Sequence, residues 1–287
     1  MKERKKVLLW LLIVAVLLAA SILTGNHAGQ SETIQQTMRD AVLHNENRIN
    51  LLGWKAVNPG LISGFVVTAI LLIAAAVLRI FWIPRFKYVP GRCQLVLEEV
   101  VGLFDRMAKT SSPRMNRFLG AYIFGAGVYI FVGTLFELFG FQAITTAGRA
   151  ITLPAPLSDV NGAIALGCLS YVVILSGGIA GNGIKGVKAT LKEFSLPISM
   201  SFRLFGALLS GLLVTELVYY YINLSYILPV VVGVLFTLLH AVIQSYVLTM
   251  LTAMFYGEVS QPEPETEKEP NHARARPRSH ENTPQAA

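Results

Sequence analysis

Apolar residues fall into six long blocks along this chain, at residues 7–24, 61–83, 118–140, 162–180, 197–222 and 228–256, separated by shorter polar segments. Each block is near or above the roughly 20 residues that a helix needs to cross hydrocarbon. The pattern predicts an all-α polytopic membrane protein of about six transmembrane helices. The last two are long and, with only residues 223–227 between them, form an antiparallel hairpin.

The intervening segments divide the chain further. Residues 1–24 read as a signal anchor, although Ala19, Ala20 and Ser21 after a basic start also fit a cleaved signal peptide. Residues 25–60 form a mixed-charge external segment, helical in part over 33–50, where Ile34, Met38, Val42 and Ile49 recur at helical spacing. After the Val89-Pro90-Gly91-Arg92 punctuation, Leu95, Val96, Val100, Leu103 and Phe104 alternate with Glu98, Glu99 and Asp105. That is the pattern of an amphipathic helix on the membrane surface, or of a connector packed on the other helices. Pro154 and Pro156 mark an external loop, and residues 181–196 a short basic cytoplasmic one. Residues 61–256 make one membrane domain, and the Pro-, Glu-, Arg- and His-rich stretch 257–287 a disordered cytoplasmic tail.

Composition agrees with the pattern, since 53% of the 287 residues are hydrophobic and only 14% charged. The net charge of +7 is placed in alternate connections, before the first block and after the second, fourth and sixth. By the positive-inside rule both termini are cytoplasmic, and no nucleic acid is needed to explain the charge. Cys93 and Cys168 are too far apart in context for a disulfide framework or a metal spacing. With no Gly-rich GK[ST] loop, the chain carries no nucleotide chemistry of its own.

One charge stands out. Arg203 lies six residues into the fifth block, whose only other charged residue is Glu216. An arginine at the bilayer centre costs about 3 kcal/mol on insertion scales, and its pKa is too high for it to escape by deprotonation. At helical spacing its face continues through Gly206, Ala207, Ser210 and Gly211, all small enough to admit another helix closely. A packing seam within one bundle has the same small residues but needs no guanidinium.

The sixth block carries Thr237, His240 and Gln244 on one face. If Gln244 is level with Arg203 in the hairpin, its amide oxygen can accept from the guanidinium, and His240 falls level with Ala207. Glu216 follows Arg203 by 13 residues, on a different face toward the outside, where it either relays protons or is simply hydrated. His240 likewise serves either a proton relay or a helix–helix hydrogen bond.

Residues 197–206, Pro-Ile-Ser-Met-Ser-Phe-Arg-Leu-Phe-Gly, followed by Gln244-Ser245-Tyr246-Val247-Leu248-Thr249-Met250-Leu251-Thr252, resemble subunit a of the F-type ATP synthase membrane sector. Val89-Pro90-Gly91, the run 134–140 around Glu137, and Pro156-Leu157-Ser158-Asp159-Val160-Asn161 resemble other segments of that family in the same order. The resemblance implies an ion-translocating stator subunit of the bacterial plasma membrane, with the proton as the expected ion, that is no enzyme on its own. It needs no cofactor or metal. Its partners would be the c-subunit ring, the subunit b peripheral stalk, the other ATP synthase subunits and membrane lipid. Arg203 would face the ring between two offset half-channels, with Gln244 as its polar partner. The face Gly206, Ala207, Ser210 and Gly211 would pack toward the ring. Glu137, Glu216 and His240 would serve the outer half-channel and Ser199 the cytoplasmic side. This chain departs from the family's usual pattern at Ala207, Leu212 and Thr237, where asparagine, an acid, and an acid or histidine are usual. Those departures keep open a non-conducting or weakly conducting paralogue with an assembly role.

Overall fold

The computed structural model describes residues 12, 15–16, 49–51, 54–113, 116–144, 150–220 and 228–261. Two short strands, β1 (Ile49–Leu51) and β2 (Trp54–Val57), precede α1 (Pro59–Val77), which is continued by a π-helical turn, Leu78–Trp82, and a 3-10 turn, Ile83–Arg85. Then come α2 (Arg92–Ser111), α3 (Asn116–Leu135), β3 (Gln142–Ile144), β4 (Ala150–Thr152), α4 (Val160–Lys192), α5 (Ser195–Tyr220) and α6 (Leu228–Ser260). Among the described residues five helical segments are long and apolar enough to cross a membrane: Pro59–Arg85, Arg117–Phe139, Val160–Lys192, Ser195–Val214 and Val230–Ser260. The protein is an all-α polytopic membrane protein decorated by two small hairpins. The first predicted span, residues 7–24, lies almost wholly outside the described residues.

Both hairpins sit at one end of the bundle. β1 pairs antiparallel with β2, and β3 with β4 in the register Gln142–Thr152, Ala143–Ile151 and Ile144–Ala150. The first corrects the helical expectation for 33–50 at its end: Ile49 and Asn50 are strand, and the remainder of that stretch lies outside the described residues. The reason is tertiary. Ile49 buries in a cluster with Val67, Phe136 and Leu153, contacts far apart in sequence that helical spacing does not register. At the same end, the Asn58 side chain caps α1 by accepting from the Gly60 N–H (2.9 Å) and donates to Asp159 Oδ1 (3.1 Å). One amide thus ties the start of α1 to the start of α4.

α2 is packed on the bundle by one part of its surface and exposed by another. Phe104 and Ala108 are buried against the bundle, with the Phe104 ring edge-on to Phe124 at 5.7 Å. A methyl built on Gly127 would stand 2.7 Å from that ring, so the glycine is what admits it. Leu95, Val96, Val100 and Leu103 remain exposed, an apolar surface suited to lipid.

α4 is not a single rod. At Gly183 the backbone has φ 58° and ψ −132°, and the chain reverses. The return brings Gly186 against Gly178, where a methyl on Gly178 would stand 3.0 Å from the Gly186 carbonyl oxygen. Tyr171 donates to the Thr190 carbonyl at 3.0 Å, closing the return one step further. The expected loop 181–196 is therefore a helical return packed alongside the span, with Lys185, Lys188 and Lys192 on its exposed side. It delivers α5 well up the side of α4: a methyl on Gly167 would meet the Pro197 carbonyl oxygen at 3.0 Å and the Ser201 hydroxyl closer still. Further along, Gly177 takes the Tyr256 ring and Gly181 the Ser260 backbone of α6. Glycines thus let three neighbours approach α4, which in a membrane replaces the hydrophobic drive available in water. α6 runs helically through Ser260, so the tail begins four residues later than the expected 257; residues 262–287 lie outside the described residues.

Candidate functional site at the outer face of α5 and α6

α5 separates its residues by face. Met200, Ser201, Leu204 and Leu208 are buried toward the bundle. Ser199, Phe202, Arg203, Gly206 and Ser210 are exposed on the opposite side. Arg203 makes no hydrogen bond or ion pair with any described residue. Beside it Gly206 faces open space, with no atom within 4 Å of a methyl placed there. Ser210 turns its hydroxyl back to the Ala207 carbonyl at 2.7 Å, so it presents little polarity outward.

The four small residues expected on one face divide between two. Gly206 and Ser210 share the open side with Arg203, whereas Ala207 and Gly211 are half-buried. A methyl on Gly211 would lie 3.4 Å from His240 Nδ1, so the imidazole rests on Gly211, one turn beyond the Ala207 position that the level register assigned. His240 also stacks on Phe236, with ring centroids 6.0 Å apart.

On α6 Gln244 is only 6% exposed, and its Oε1 has no hydrogen-bond partner among the described residues. The expected bond from the Arg203 guanidinium is not formed, because the arginine extends on the outer side of α5 while the amide faces inward. An unpaired buried amide oxygen is costly, on the order of 1–3 kcal/mol, and marks either a strained or a functional group.

The remaining candidates are dispersed. Ser199 lies one turn before Arg203 on the same exposed face, and Thr237 is half-buried one turn before His240. Glu137 is half-buried in the 3-10 turn Phe136–Phe139 at the hairpin end, its carbonyl accepting from the Gly140 N–H. Glu216 is on α5, with its side chain outside the described set.

Sequence reasoning did not single out the polar face that positions Gln244. Ser245 is buried and donates across to the Gly127 carbonyl of α3 at 2.8 Å, fixing the rotation of α6. Thr249 and Thr252 continue that face, donating to the carbonyls of Ser245 and Leu248. Their helical spacing from Ser245 was available as a signal. Between α3 and α4, the hydroxyls of Tyr122 and Ser170 meet at 2.7 Å.

Chemically, the arrangement is a permanent cation displayed on the outer face of a membrane helix, flanked by small residues, with a buried acceptor on the helix behind. Residues 63–257 match the model of the family described as ATP synthase A chain. Two proteins called ATP synthase subunit a, from Cereibacter sphaeroides strains ATCC 17025 and ATCC 17029, are each 27% identical over 199 residues. Those alignments cover 65% of this chain and 76% of each relative.

Proposed function

The chain belongs to the F-type ATP synthase subunit a family, and on that premise we propose that it is the proton-translocating stator subunit, with Arg203 facing the rotating c-ring. The observation that carries this reading is the exposure of Arg203 on an apolar helix. A guanidinium turned toward acyl chains is costly, so a protein surface with complementary charge belongs there. A ring of hairpins, each with a mid-span carboxylate, has that charge and slides along the groove left by Gly206 and Ser210.

The mechanism follows from electrostatics. A fixed cation within about 4–6 Å lowers a carboxylate pKa by roughly 1–3 units, so a ring carboxylate passing Arg203 releases its proton. Further rotation carries it away and restores its affinity, allowing uptake from the other aqueous side. The same cation repels protons moving directly between the two half-channels. Ser199 serves the cytoplasmic side, and Glu137, Glu216 and His240 the outer route. The unpaired Oε1 of Gln244 accepts from the guanidinium once the ring presses Arg203 inward. ATP chemistry and anchoring belong to partner subunits, including the subunit b stalk, in a bacterial plasma membrane with both termini cytoplasmic. Ala207, Leu212 and Thr237 support a second reading, an assembly subunit that conducts weakly.

Cross-linking tests the ring contact. In the assembled complex, with Cys93 and Cys168 replaced by serine, Gly206→Cys should form a disulfide with a cysteine placed beside the ring carboxylate, and Gly211→Cys should not. Cross-linking at 211 but not 206 would place the ring on another face.

A further inference from the structure

Where α1 hands over to α2, the chain forms an open, shallow cavity of about 480 Å³ lined by Trp82, Arg85, Phe86, Lys87, Arg92 and Gln94 among others. Its volume is within the usual range for ligand sites, about 300–1,000 Å³. No acidic residue lines it. Of the nearby acids of α2, Glu99 pairs with Arg106 and Asp105 with Lys109, each at 2.6 Å, while Glu98 stands at the edge of the cavity, accepting from Nε2 of the lining residue Gln94 at 2.6 Å. Arg85, Lys87 and Arg92 have no ion-pair partner among the described residues.

The cavity wall is held in shape. Gln94 accepts from the Lys87 N–H at 3.2 Å and donates to the Lys87 carbonyl at 3.1 Å, stapling the connecting segment to α2. On the other side, the end of the span leaves Ile80, Phe81 and Trp82 exposed. Trp82 has the amphipathic character that places tryptophan at the headgroup level. Three cations without an ion-pair partner among the described residues therefore meet an open apolar surface, with Trp82 marking the membrane–water boundary.

We infer that this cavity binds the phosphodiester headgroup of an anionic phospholipid. Arg85, Lys87 and Arg92 supply charge and donors to the phosphate, Trp82 and Phe86 pack on the glycerol region, and the acyl chains descend along Ile80 and Phe81. A free phosphate would use the same cations but leave the apolar surface uncovered. The lipid source accounts for both halves.

The test uses the full chain with Trp82 as sole tryptophan (Trp10→Phe, Trp54→Phe), reconstituted in phosphatidylcholine vesicles containing either brominated phosphatidylglycerol or brominated phosphatidylcholine at equal fraction. Brominated phosphatidylglycerol is expected to quench Trp82 more strongly. Each of Arg85→Gln, Lys87→Gln and Arg92→Gln should weaken its apparent affinity about fivefold, the value of one basic residue at an anionic surface. Unchanged quenching by brominated phosphatidylcholine would show that these variants still insert. Removing Lys185, Lys188 and Lys192 together should leave the preference intact. Equal quenching by the two lipids, or a preference lost equally with those three lysines, would overturn the site. Loss of the preference on adding excess inorganic phosphate would assign it to free phosphate instead.

Discussion

Arg203 and Gln244 lie on helices packed against each other, yet the arginine is exposed on the outer face of α5 while the glutamine is 6% exposed with an unpaired amide oxygen. Donor and acceptor are present on neighbouring helices but not joined. Among the described residues Arg203 has no hydrogen-bond or ion-pair partner, which is consistent with the proposal that it acts against another subunit.

The unpaired oxygen separates a functional role from a structural one. Removing a buried, unsatisfied acceptor relieves a cost of about 1–3 kcal/mol. Gln244→Leu should therefore keep or raise the thermal midpoint of the purified subunit while lowering ATP-driven proton pumping by the complex. A fall in the midpoint with pumping unchanged would make Gln244 a packing residue only.

Gly206 gives the complementary separation. A methyl there meets nothing within 4 Å, so Gly206→Leu should change the stability of the isolated subunit by no more than about 0.5 kcal/mol. In the complex the same side chain would obstruct the ring, and pumping should be nearly lost. Full pumping by a Gly206→Leu complex would mean that no helix passes this face.

Gly183 bears on how α5 is positioned. Its φ of 58° with ψ of −132° suits glycine alone, and a side chain there costs on the order of 1–3 kcal/mol. Gly183→Ala should lower the thermal midpoint and reduce incorporation into the complex, whereas Lys185→Ala, on the exposed side of the return, should do neither. Equal stability of the two variants would show that the reversal is not needed to hold α5 in place.

The spans were legible because blocks of apolar residues about 20 long have few alternatives in a membrane. Arg203 was legible for a related reason: a charge inside such a block is conspicuous. The helical return at Gly183 was not, since lysines and glycines spaced along 181–192 read equally well as a solvated loop. What decides the matter is backbone contact between Gly178 and Gly186, which leaves no trace in side-chain periodicity. The strand at Ile49 was hidden likewise, by burial against Phe136 and Leu153 from distant parts of the chain. For Gln244, spacing identified the face, but only the rotation fixed by Ser245 on Gly127 reveals that its amide turns inward. Of the four small residues expected on one face, Gly206 and Ser210 are exposed while Ala207 and Gly211 are half-buried, and Gly211 lies against His240 of α6, a contact that helical spacing alone does not register.

If Arg203 is the fixed cation against which ring carboxylates exchange protons, proton pumping by the complex depends on it. ATP-driven acidification of vesicles containing the reconstituted complex measures it directly. Wild-type complexes should acidify the lumen, and Arg203→Ala complexes, assembled in equal amount, should not. Acidification by Arg203→Ala at the wild-type rate would rule out that role for the arginine, and failure of the wild-type complex itself to pump would favour the assembly role.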